Sequence, residues 1–332
     1  MTAYVIRRVL VMFLLLLLLT FVVFWLFSVL PADVARLTCG KICTPETIEL
    51  NRARLGLDQG IWFQYWDFLK GIFVGRTYGT GSNAIECPAP CLGYSFTRKE
   101  PVLKLILERF PATLFLAIGA FILFVFGGVA LGVYSALRRG KWQDKTVMGA
   151  ALFGYSLPSF FIGLVFIFFI IIRWKWLPFP KYANPWDNPV QFLQTMILPW
   201  IVLAILYAAF YTRLTRSQML ETLNEDYIRT ARAKGLPERT VIRKHALRAG
   251  LSPIVTAAGL DFAGLLGGAI ILESIFSLPG IGSLSISAVL NPDLPILAAV
   301  TLMTAAFIIF ANLIVDLLYA VIDPRVRLTC CL

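Results

Sequence analysis

The chain has 332 residues, of which 58% are hydrophobic and only 15% charged, with a net charge of +11 and a mean hydropathy of +0.78. A soluble globular domain is about half apolar and a quarter charged; here the apolar residues come in unbroken blocks that reach the roughly 20 residues a bilayer-spanning helix needs. A soluble domain is therefore excluded. The basic residues sit in the links between blocks, where the positive-inside rule places them, so the charge points to a lipid bilayer and not to nucleic acid.

Six apolar blocks follow one another at 9–30, 112–137, 147–172, 196–212, 253–276 and 295–322. The first follows Arg7 and Arg8, but its apolar run is about twice a signal-peptide core and no small-residue cleavage site follows it. It reads as a retained helix, giving an N-terminal transmembrane segment over 1–30. Arg138, Arg139, Lys141 and Lys145 crowd the link between the second and third blocks. Nine Lys/Arg occupy 213–248, between the fourth and fifth. Arg325 and Arg327 follow the sixth, whereas the link 277–294 has neither Lys nor Arg. These links alternate consistently for six helices with both termini cytoplasmic.

Residues 31–108 then lie outside, and at that length they exceed a connector. Trp62, Phe63, Tyr65, Trp66 and Phe68 would anchor them as a small, partly helical cap on the membrane surface. Cys39, Cys43, Cys87 and Cys91 fall in this segment, where thiols oxidise and disulfides persist. Four cysteines allow three pairings; cross-pairing between the two couples is the expectation, with a four-thiolate zinc site as the rival. Residues 109–322 form the five-helix core, including a cytoplasmic loop over 213–252, and 323–332 form a tail that ends in Cys330 and Cys331.

Equipment for covalent chemistry is missing from the sequence. The single histidine, His245, lies in a basic stretch, no serine-hydrolase elbow or zinc-protease motif occurs, and Gly140-Lys141 lacks the rest of a phosphate loop. The chain is thus not expected to be an enzyme or to carry a cofactor, and any ATP must be used by another polypeptide.

The most informative stretch is 221–253. Glu225 and Asp226 favour the positive end of a helix, Ala231, Ala233 and Lys234 propagate it, Gly235 stops it, and Pro237 sits where a second helix can open. A short helix with a small-residue face (Thr230, Ala231, Ala233) suits a groove on a partner, against the plainer reading of a solvated basic loop. Residues Asp226 to Gly235, DYIRTARAKG, match position by position a run typical of one family. The loop resembles the coupling loop of binding-protein-dependent ABC importer permeases, in the dipeptide/oligopeptide/nickel branch. Against the wider E-A-A-x-x-x-G pattern, Arg229 and Thr230 depart and only Ala231 and Gly235 fit.

Further stretches are similar: Leu55-Gly56-Leu57-Asp58-Gln59, Glu108 to Leu114, Glu273 to Gly282 and Asp316 to Arg327. The likeness spans nearly the whole chain and fits the first permease of a pair, departing at 78–94, an insertion that carries Cys87 and Cys91.

The resemblance implies an all-α integral membrane protein with the six-helix type I permease fold in a bacterial inner (plasma) membrane. It implies pairing with a second, homologous permease, two cytoplasmic ATPases that bind ATP and Mg, and an extracellular substrate-binding protein, with peptide as substrate. Glu225, Asp226, Tyr227, Arg229, Thr230, Ala231, Ala233, Lys234 and Gly235 would couple to the ATPases. Nickel or another small solute is the alternative cargo; a stand-alone channel or a membrane enzyme is the reading from a different class. Within the membrane, Gly128-x-x-x-Gly132 and Gly264-x-x-x-Gly268 are expected to pack helices, and Pro158 and Pro199 to kink them. Asp261 is the candidate for the translocation path, facing a peptide amine or a partner helix. Asn312 and Asp316 are expected to hold helices together, and Glu273 to cap the outer turn at 277–282.

Overall fold

A computed structural model of the chain describes residues 2–29, 34–37, 44–54, 56–79 and 84–322. Four single helices are long and apolar enough to cross a membrane: α1 (Thr2–Val29), α5 (Val102–Leu137), α8 (Pro189–Leu223) and α15 (Leu294–Ile322). Two bent pairs bring the count to six if each is one span. The first joins α6 (Trp142–Ser156) to α7, which begins at Ser159 and runs on in wider turns to Arg173, with a bend of 97°. Its cause is local: Pro158 holds its preceding residue out of the helical region, and Leu157 is extended at φ −86°, ψ 133°. Pro199 lies inside α8 without ending it.

The second pair joins the helical stretch Glu238–Gly250 to α12 (Ser252–Leu266) with a bend of 51°. It corrects the expectation of one apolar span over 253–276. Helix α12 stops at Gly267–Gly268, and a separate short helix, α13 (Ile270–Ile275), follows. Gly268 adopts φ +106°, and a Cβ there would stand 2.5 Å from Gly282 N; a side chain fits neither the dihedral nor the space. The link 277–294 likewise holds a helix, α14 (Ile281–Leu290).

The chain divides into two compact units. The first comprises Met1–Thr113, Leu266–Ile270 and Pro279–Leu313. It contains the segment between α1 and α5: α2 (Val34–Leu37), α3 (Pro45–Arg54), α4 (Ile61–Val74) and two antiparallel hairpins, β1 (Arg76–Tyr78) with β2 (Ile85–Cys87) and β3 (Tyr94–Ser95) with β4 (Glu100–Pro101). Aromatic contacts seat α4 on α1, through Phe21 with Trp62 and Tyr65, and Phe24 with Tyr65 and Phe68. Leu105, Ile106, Ile281, Leu284, Ile296 and Val300 make this unit's main apolar cluster. The Thr113 hydroxyl accepts from Ile281 N–H at 2.9 Å, satisfying a free donor at the start of α14.

The disulfide closes locally between Cys87 and Cys91, which corrects the expected cross-pairing; Cys39 and Cys43 lie outside the described residues. Cys87 and Cys91 are buried against Tyr78 and Tyr94 in a small core, so the bridge closes the short loop that leads from the end of β2 toward β3. The β3–β4 hairpin is in turn fastened to α14 and α15. The Ser95 hydroxyl donates to Asp293 Oδ2 at 2.5 Å, and Arg98 Nη2 donates to Ser287 Oγ at 2.7 Å.

The second unit comprises Leu114–Leu265, Ile271–Leu278 and the chain from Ile314 on. Here α5 and α8 touch along their backbones: a Cβ on Gly128 would meet Tyr211 Cβ at 2.5 Å, and one on Gly132 would meet Thr215 Cβ at 2.5 Å and Thr212 O at 2.7 Å. Small residues that admit such approach are the usual glue between membrane helices, where burial against lipid gives no hydrophobic gain. Gly264 departs from the expected pattern, since nothing within 4 Å would oppose a side chain there. Glu273 is fully buried, and its backbone oxygen accepts from Leu278 N–H at 2.8 Å within the turn it was expected to cap.

Candidate functional site

Two places in the second unit gather the residues singled out in the sequence. The first is the loop between α8 and α12. Helix α9 (Asp226–Ala233) starts after an extended Glu225, with Asp226 in its first turn. Arg229 reaches back to Asp226 at 3.4 Å and the Thr230 hydroxyl donates to Asp226 O at 2.9 Å. Gly235 ends the helix at φ +76°, and the N–H of Leu236 returns to Ala231 O at 3.4 Å. That left-handed turn is the ordinary glycine stop.

After Pro237 the chain enters a second helical stretch: α10 (Glu238–Thr240), wider turns over Val241–Ala246, and α11 (Leu247–Gly250). Arg232 donates through both Nε and Nη2 to the Glu238 carboxylate, at 3.2 and 2.7 Å, and so spans the turn at Gly235. That guanidinium holds the Glu238 carboxyl below its ordinary pKa.

One face of α9 is committed to its own chain. Ile228 and Ala231 are buried with Ala136, Met219, Val241 and Ala246, and burying an isoleucine side chain stabilises by about 1.5–3 kcal/mol. Ala231 therefore belongs to the anchored face, a correction to the small-residue docking face read from the sequence. The opposite face is exposed and carries Asp226, Tyr227, Arg229, Thr230, Ala233 and Lys234.

Beneath this anchor lies an ion pair that the sequence did not announce. Asp144, at the start of α6, is buried, and its carboxylate accepts from Arg216 Nε (2.7 Å) and Nη2 (2.8 Å), Ser135 Oγ (2.6 Å) and Gly140 N (3.0 Å). Arg216 is one turn before Met219 on α8, and Ser135 adjoins Ala136 on α5, so the pair ties three helices together directly under the α9 cluster.

The second place is a cavity of about 400 Å³ lined by Tyr155, Ser159, Leu206, Tyr207, Phe210 and Asp261. Asp261 is half-buried on α12, and its Oδ2 accepts from the Tyr211 hydroxyl at 2.6 Å. Tyr207 and Tyr211 are set by Phe124, whose ring lies 4.9 and 5.2 Å from theirs.

Comparison with known proteins places the chain. Residues 128–328 match the family of binding-protein-dependent transport system inner membrane components, and residues 1–117 match its N-terminal companion family. The chain belongs to this family. The glutathione transport system permease protein GsiC of Escherichia coli O6:H1 is 38% identical over 327 residues, covering 98% of this chain and 99% of that protein. A Brucella abortus (strain 2308) protein with the provisional name of peptide transport system permease is 37% identical over the same shares. Among solved structures, a chain of the MetNI methionine ABC transporter matches with a TM-score of 0.54 at 16% identity, covering 67% of this chain and 97% of that one. That last likeness concerns the fold alone.

The permease is thus a multi-pass inner-membrane component of a transport system and not an enzyme. Among its described residues no three His, Cys, Asp or Glu are grouped to hold a metal ion. The structure brings the residues of 225–235 together on one short helix, leaves Asp261 on a different element facing the cavity, and puts Asn312 on an exposed face of α15 with Asp316 half-buried one turn on.

Proposed function

We propose that this permease forms, with a second homologous permease, the membrane path of an ATP-driven importer of peptides. An extracellular binding protein would deliver the peptide, and two cytoplasmic ATPases would bind ATP and Mg and drive transport. The observation that carries the reading is α9: a short helix clamped to its own chain by Ile228 and Ala231 while Tyr227, Arg229, Thr230 and Lys234 stand exposed to meet a partner. Held in this way, α9 passes a push from an ATPase to α5 and α8 through the Met219–Ala136 cluster, and such rigid-body motion is one way to alternate access. The chain's termini are assigned to the cytoplasm, on the side of α9, by the distribution of Lys and Arg. The names of the relatives in Escherichia coli and Brucella favour peptides as cargo, and Asp261 marks the path.

The test is ATP-dependent uptake of labelled di- to pentapeptides into vesicles that hold the whole assembly, with the native chain and with Gly235→Pro. Proline is fixed near φ −65° and cannot adopt the +76° found there, so uptake should be lost while the chain still inserts into the bilayer. Uptake unchanged by the variant would remove the coupling role. ATPase activity with no uptake of any peptide would redirect the cargo to nickel or another small solute.

A further inference from the structure

Asp261, on an apolar helix of a candidate span, has no counter-ion among the described residues. It lies nine residues into α12 from Ser252, about 14 Å along the axis at 1.5 Å per residue, inside the apolar part of a candidate span. Among the described residues no Lys, Arg or His comes within ion-pair distance of it, and no protein donor meets its Oδ1; the Tyr211 hydroxyl holds Oδ2 alone. Ionisable side chains at such depth are costly and are retained for function. A carboxylate fixed by one tyrosine, with its other oxygen unclaimed and a cavity before it, is a receptor for a cationic N–H donor.

The cavity wall agrees with that assignment. Tyr207 and Phe210 line it beside Asp261, and aromatic rings attract a cation that has shed water; the Tyr155 ring, also on the wall, is already taken by the Arg213 guanidinium, 4.5 Å from its centroid. The wall offers no basic side chain that would receive a carboxylate or phosphate, and no second carboxylate that would complete a metal site. One charge-assisted contact of this kind is also weak enough to let a substrate go, as a transit site requires.

We propose that Asp261, oriented by Tyr211 and flanked by Tyr207, receives the primary ammonium group of the substrate in transit, which for a peptide is its N-terminal amine. The assignment of that ammonium to a peptide rests on the importer reading above; the ammonium site itself does not.

Two measurements keep these apart. In vesicles with the complete assembly, uptake of a labelled tripeptide and of its N-acetylated form is compared for wild type and Asp261→Asn. Any amine preference of the binding protein is common to both chains and cancels in the ratio. The substitution should lower the free-amine to acetylated uptake ratio about tenfold, the size of one charge-assisted contact. Equal losses for both peptides would make Asp261 a structural residue and overturn the proposal, as would no change in either.

The second measurement needs no peptide. Ser159→Cys, on the cavity wall, is labelled with 2-aminoethyl methanethiosulfonate and with neutral methyl methanethiosulfonate. The labelling is done with Asp261 in place and again in combination with Asp261→Asn, in chains with no other reactive thiol. Preference for the ammonium reagent should fall at least about fivefold on Asp261→Asn, somewhat less than one full charge-assisted contact. A preference that survives the substitution would overturn the site. Failure of wild-type peptide uptake alongside a carboxylate-dependent labelling preference would instead overturn the peptide cargo and leave the ammonium site standing.

Discussion

Removing the charge of Asp144 tests whether the α5–α6–α8 junction is held by its buried ion pair. The carboxylate accepts four donors, two of them from one guanidinium. Asp144→Asn keeps the volume but turns an NH₂ group toward Arg216 or Ser135, so at least one donor loses its acceptor and the guanidinium loses its counter-charge. Breaking a buried pair from one side costs about 3–5 kcal/mol. Arg216 retains 24% side-chain exposure against 6% for Asp144, and water at its open edge places the expected loss at the lower end, about 3 kcal/mol.

Thermal unfolding of the purified chain in detergent should report that loss, and a cycle with Arg216→Gln should return a coupling of at least about 1.5 kcal/mol, since residues in one network are not additive. Because the pair underlies the α9 anchor, ATP-driven uptake should fall in the same variant. Additive single losses, or a loss below about 1 kcal/mol for Asp144→Asn, would refute the view that the pair fixes this junction.

Ile228→Ala should destabilise the loop by about 2–4 kcal/mol, the range for a buried isoleucine truncated in a close-packed site; hydrogen exchange of 226–246 reads this directly, and unaltered protection would count against the anchor. Gly235→Ala should cost about 1 kcal/mol, the penalty of a left-handed turn for a residue with a Cβ, with a milder uptake defect than Gly235→Pro. Trypsin digestion without reductant should yield the fragment 77–98 two hydrogens light and unattached to any peptide from 37–52, as a Cys87–Cys91 bridge requires; a linked pair of fragments would restore cross-pairing. Because the folded Glu238 carboxyl titrates below its ordinary value, the stabilisation from Arg232 is complete above the unfolded pKa and is lost as pH falls through the depressed folded one. The stability difference between wild type and Glu238→Gln should therefore be flat at neutral pH and shrink only in acid below the ordinary glutamate range, and a difference that changes near neutrality would contradict the pairing.

Local signals were legible in the sequence and long-range ones were not. The start at Asp226, the stop at Gly235 and the turn at Pro158 each depend on one or two neighbouring residues, and each stands where those residues place it. Pro199 carried the same signal as Pro158, yet α8 runs through it, because neighbouring packing sets whether a proline ends a membrane helix. The break at Gly267–Gly268 lay hidden in an unbroken apolar block; hydropathy sees composition, while the interruption comes from the backbone of Gly282 lying against Gly268.

Asp144 and Arg216 are 72 positions apart, and the only hint was a lone carboxylate among Arg138, Arg139, Lys141 and Lys145. Periodicity marks Ala231 as a good helix former but does not tell the anchored face from the free one. That distinction needed Met219 and Val241 in place.

The seam at Gly128 and Gly132 leaves α5 and α8 no cushion of side chains between their backbones. Two rods in direct contact along a line can neither roll nor slide past one another without collision, so within this unit they behave as one stiff spar. Strain delivered at α9 arrives on that spar undivided, through Ala136 on one rod and Met219 on the other. Compliance must then reside elsewhere in the same unit, where the helix is already interrupted and turns through 97° at Leu157–Pro158.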